Sequence, residues 1–167
     1  MTVGSAMRTV AGHRMRAYYI ALIGGAMLVA SAFLPWVLLG GVAIGGIPNM
    51  AGFWVLGLGA MAMVMASLSI YTRKNSRHPL LVVGLISLAV LFLAYELMKR
   101  TAVEQAWARA QALAIVDQIA PGQEPAAAAG LGTYLGVIGA IMLVLFGMTI
   151  VIKRVSRPYA EPEDDDI

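Results

Sequence analysis

The sequence has no cysteine. That excludes disulfides, thiolate metal sites and cysteine nucleophiles. Charge is the next scarcity. Only 13% of the residues are Asp, Glu, Lys or Arg, where a soluble domain carries about 25%. These charges fall in short clusters between long uncharged runs. A bilayer imposes that distribution, because ionised groups are costly in hydrocarbon. The two histidines, His13 and His78, have no neighbouring carboxylate in sequence. They are read as leader and interfacial residues, not as metal or haem ligands. No basic tract interleaves with aromatics, so nucleic acid is not an expected partner. No Ser-His-Asp set, metal-ligand spacing or phosphate loop is present. The expectation is a non-enzymatic protein that needs no cofactor.

What the chain has in abundance is apolar sequence, 60% of its residues. Four runs stand out: 17–39, 51–71, 80–98 and 131–152. A helix rising 1.5 Å per residue needs about 20 apolar residues to cross roughly 30 Å of hydrocarbon, and all four qualify. In the third run, twelve Leu, Ile, Val or Phe residues contribute roughly −4 to −7 kcal/mol to insertion. Its one charge, Glu96, lies near the end, where the cost falls. A soluble helix would keep a polar face, and 20–46 and 55–71 show no charged face at any period.

The expected fold is therefore an all-α membrane protein. It is a four-transmembrane-helix bundle with an extra outer helix, at about 101–120, between helices 3 and 4. Residues 1–16 form a basic leader and 153–167 an acidic tail, with five acidic residues among the last seven. The tail reads as a solvated end, or as a docking segment for a basic partner. Nine of the twelve Lys and Arg residues flank the helices on one side: Arg8, Arg14, Arg16, Arg73, Lys74, Arg77, Lys153, Arg154 and Arg157. Only Lys99, Arg100 and Arg109 lie on the other. The positive-inside rule then puts both termini in the cytoplasm. Tyr18, Tyr19 and Tyr71 are expected as anchors at the inner interface, and Trp36, Trp54 and Tyr134 at the outer one.

The connections carry finer expectations. Ala30-Ser31-Ala32 resembles a small-x-small cleavage site, but the apolar run continues past it to Leu39. Pro35 kinks or ends the first helix. Pro48-Asn49 marks a short turn. Ser76 suits the cap of the third helix, and Pro79 its first turn. In the outer segment, Val103, Ala106, Trp107, Ala110, Leu113, Ala114 and Ile119 recur at helical steps. That helix either projects straight on from the third or lies on the membrane surface with Trp107 as anchor. Glu96 and Arg100 are spaced to pair across one turn. The stretch from Pro121 to Gly132 reads as a flexible return.

No polar constellation lies within the spans. Ser31, Ser67, Ser69, Ser87 and Thr149 are expected to bond to their own helix backbones. Small residues are plentiful instead. Gly132, Gly136 and Ala140 repeat every fourth position of the last helix, and Ala17, Ala21 and Gly25 do so in the first. Such stripes let backbones approach closely. They suit internal seams of the bundle or a lipid-facing seam for a partner subunit. The alternating Met61, Met63 and Met65 read as adaptable filler.

Phe33-Leu34-Pro35-Trp36 after the first helix, and Gly132, Tyr134 and Leu135 at the start of the last, resemble small bacterial four-helix membrane proteins with a FLPW-type motif. Some of these are called tryptophan-associated transmembrane proteins. The resemblance implies a multi-pass fold in the bacterial inner (cytoplasmic) membrane. It brings no catalytic residues. The expected partners are the lipid bilayer and proteins within it. The leading functional expectation is a subunit that assembles with or stabilises a larger membrane complex. The alternatives are a small oligomeric transporter or channel, and a lipid- or pigment-binding scaffold.

Overall fold

The computed structural model describes residues 17–72, 77–120 and 122–155. The basic leader, Arg73, Lys74, Ser76 and the acidic tail beyond Val155 lie outside the described residues. Four helices and a three-stranded sheet follow one another: α1 (Tyr18–Ala32), β1 (Pro35–Leu39), β2 (Val42–Gly45), α2 (Met50–Thr72), α3 (Arg77–Val116), β3 (Ala127–Ala129) and α4 (Leu131–Val155). Three of them, α2, α3 and α4, are long and apolar enough to cross a membrane.

The sheet corrects the all-α expectation, and α1 corrects the first span. That span was expected to be helical from 17 to 39; the helix stops at Ala32. Proline explains the stop. Leu34 precedes a proline and is pushed toward extended backbone. Pro35 has no N–H to donate, and in a helix its ring would clash with the carbonyl of Ser31, four residues back. The last turn closes instead with Phe33 N–H on Ala30 O and Leu34 N–H on Ser31 O, both at 3.2 Å. The chain then reverses as a hairpin. Gly40 and Gly41 have φ of 52° and 86°. A two-residue type I′ turn needs positive φ at both positions, which glycine adopts without a Cβ clash.

The strand order is β2-β1-β3, all antiparallel. Leu39 pairs with Val42 on one side and with Ala127 on the other. Part of the return expected to be flexible is thus a strand. Pro35 begins the central strand, a position that tolerates a missing N–H. The other two strands have open outer edges.

A further correction concerns the third helix. The segments 80–98 and 101–120 were expected as separate elements, with straight continuation as one option. They form one helix of 40 residues ending at Val116, about 60 Å long at 1.5 Å per residue. No proline or glycine interrupts 85–116, so nothing in the sequence breaks the hydrogen-bond ladder there.

The helices pack in the order α2–α1–α4–α3, and α2 and α3 touch over a shorter stretch. Adjacent glycines let α1 grip two neighbours. A Cβ on Gly24 would stand 2.8 Å from Gly139 O of α4, and one on Gly25 would stand 3.0 Å from Gly59 O of α2. On the far side of α4, a Cβ on Gly147 would lie 2.5 Å from Leu81 Cβ of α3. The core between them holds Leu28, Val55, Leu80, Leu91 and Leu143. The sheet sits at the end of the bundle where α1 stops and α4 starts.

Candidate functional site

Two regions stand apart from ordinary helix packing: the sheet end of the bundle and the half of α3 that leaves it.

At the sheet end, Trp36 is completely buried. It was expected as an interfacial anchor, and that is corrected here. Strand alternation would put Trp36 on the same side as Leu38, which is 40% exposed. The register of β1 on β2 shifts between Pro35 and Val37. Such a bulge re-aims a side chain, and here it turns the indole inward. The indole Nε1–H donates to Ser31 O at 2.8 Å. This is the carbonyl that a helical Pro35 would have orphaned, so one break in the helix supplies the acceptor for the tryptophan. Glycines line the ring. A Cβ on Gly46 would stand 2.6 Å from the indole, and one on Gly132 2.7 Å from Cδ1. The carbonyl of Trp36 accepts from Gly130 N–H at 2.8 Å and from Thr133 Oγ1 at 2.9 Å. The two segments that carry the family resemblance, 33–36 and 130–135, therefore meet at this residue.

The expected small-residue stripes lie in contacts within the chain. Ala21 and Ala140 are fully buried, and Ala17 is half-buried against the core. Gly25 backs onto Gly59 and Met63. Gly136 faces Leu91 and Ser31 Oγ. Of the polar residues within the spans, Ser31, Ser69, Ser87 and Thr149 donate to Leu28, Met65, Val83 and Phe146 carbonyls. Ser67 is exposed.

The remaining aromatics divide. Tyr19, Trp54, Tyr71 and Tyr134 are exposed. Tyr18 is buried edge-on against Phe146, ring centroids 4.9 Å apart. The Arg77 guanidinium lies over both rings, 5.3 Å from Phe146 and 5.9 Å from Tyr18, and its Nη1 donates to Thr149 Oγ1 at 3.2 Å. This cation–π cluster fastens the end of the bundle opposite the sheet. His78 is exposed, and no group of three or more His, Cys, Asp or Glu comes together among the described residues.

Beyond Met98, α3 runs on for about 18 residues, or about 27 Å. Trp107 is half-buried on it, while Leu113, Ile115, Val116 and, just past the helix, Ile119 are 63–78% exposed. Arg100 pairs with Glu104 at 3.8 Å, not with Glu96 as the spacing suggested, and both partners are exposed. The i,i+4 geometry serves either choice. Glu104 stands where water is nearer than it is at Glu96.

Residue types alone did not disclose the cage around Trp36. Gly46, Gly130 and Thr133 were not singled out, and the available signal was the two-residue Gly40-Gly41 spacer between two short apolar segments. Comparison with known proteins finds no relative: no protein-family model matches the chain, nor does any curated protein or solved structure.

Proposed function

We propose that this chain is a non-enzymatic multi-pass subunit of the bacterial inner membrane that assembles with, or stabilises, a larger membrane complex. Both termini lie in the cytoplasm, and the sheet and the second half of α3 lie outside. The nine-to-three division of Lys and Arg supports the orientation. Uncharged helices, whose buried serines bond to their own backbones, support a structural rather than a chemical role.

The observation that carries the reading is the continuation of α3. A helix of this length standing out from its bundle gains little from its own chain, and short isolated helices are marginal in water. Its exposed Leu113, Ile115 and Val116 are the surface that a partner would cover. The experiment is extraction in mild detergent, followed by a mass measurement of the protein alone. A particle well above the 17.7 kDa of one chain is the expected result. A small, monodisperse monomer contradicts the proposal.

A further inference from the structure

Inside the bundle, α3 turns Leu80, Val83, Gly84, Ser87, Leu91 and Ala94 inward. The other side of the same helix carries Leu85, Ala89, Phe92, Glu96, Arg100 and Val103, three or four residues apart, which places them on one face. Leu85 and Phe92 are 51% and 67% exposed. Ala89, Glu96 and Arg100 are exposed, and Val103 is half-buried. Because α3 ends the row of helices, this face points away from α4. Lipid accounts for its lower part. It does not account for the step at which the stripe turns charged and then apolar again, at the edge of the hydrocarbon. Glu96 makes no ion pair among the described residues, and Arg100 holds only an exposed contact with Glu104.

We infer that this stripe pairs with the same stripe of a second copy of the chain. The inference rests on the orientation proposed above and names the first partner of that assembly. Two copies inserted alike in one membrane hold their α3 helices parallel, and a two-fold axis along the membrane normal makes the stripe its own complement. In that arrangement Glu96 of each copy meets Arg100 of the other, so both charges are satisfied reciprocally where water thins out. Phe92 and Ala89 pack below this level. Val103 packs above it, in water, and gives the projecting half of α3 the side-by-side support that a single helix lacks. The charged pair fixes the register, because a shift of one turn brings like charges together.

The absence of cysteine lets single introduced thiols report this pairing in native membranes. Under mild oxidation, Ala89→Cys and Val103→Cys should give a disulfide-linked dimer. Gln105→Cys, on the other face of the same stretch, should give little. In the Val103→Cys chain, Glu96→Arg should lose most of the linked dimer, and adding Arg100→Glu should restore it. Equal linkage at all three positions, linkage at none, or no recovery in the double swap overturns the inference. If the full chain stays large in mild detergent while Val103→Cys gives no linked dimer, the pairing falls and the subunit reading stands. A monomer overturns both.

Discussion

The sheet end of the bundle and the projecting half of α3 solve opposite problems with the same residue types. Around Trp36 every group is answered within the chain: the indole by a backbone carbonyl, the ring by glycines, and the strand by partners on both edges. Along 99–116, alanines and aliphatics are held by little more than their own helix, and the ion pair there is exposed on both sides. The difference teaches where this protein spends its sequence on itself and where it leaves surface for something else. Substitutions should therefore act very differently at the two places.

The largest effect is expected at Trp36. Trp36→Ala empties the cage and removes the indole bond to Ser31 O, a loss of about 3–5 kcal/mol for a large buried aromatic. Thermal unfolding in detergent would read it as a clear drop in midpoint. Gly132→Val tests the same cage from the other wall. Its Cβ would start 2.7 Å from the ring, and overpacking of this kind costs about 1–3 kcal/mol. An unchanged midpoint in either variant would break the comparison. On α3, Ala112→Glu should change the stability of the isolated protein by less than about 0.5 kcal/mol, as exposed substitutions do. It should nevertheless reduce the mass of the particle recovered in mild detergent if Ala112 lies within a partner interface. Smallest of all, Glu104→Ala should cost a few tenths of a kcal/mol, about the value of an exposed i,i+4 pair.

Periodicity made the long elements legible. The runs 51–71 and 131–152 match α2 and α4 closely, because an apolar stretch of that length leaves few alternatives. What it hid was the end of the first run. Pro35-Trp36-Val37-Leu38-Leu39 is as apolar as the helix before it, so hydropathy alone reads straight through the proline. The turn chemistry of Gly40-Gly41 and the restriction that Pro35 places on Leu34 carried the signal for a hairpin, but a two-residue spacer is faint beside twenty apolar residues. The strand Ala127–Ala129 could not be read locally at all. Alanine is a poor strand former, and only pairing with Val37 to Leu39 makes this segment extended. Trp36 was misread for a related reason: an aromatic at the end of an apolar run suits an interface, and only the bulge reveals that it turns inward. In α3 the change from an apolar to a mixed face at Lys99 was taken for a boundary, although the helix itself has no reason to stop there.

The claim at the centre of this account is that α3 crosses the membrane and continues on the outer side, while the far ends of α2 and α4 face the cytoplasm. Labelling of single cysteines with a membrane-impermeant maleimide tests it most directly. Ala112→Cys should label in intact spheroplasts, and Thr72→Cys only after the membrane is opened. Labelling of Thr72→Cys in sealed spheroplasts, with Ala112→Cys protected until they are opened, would contradict the orientation and the outward course of α3 together.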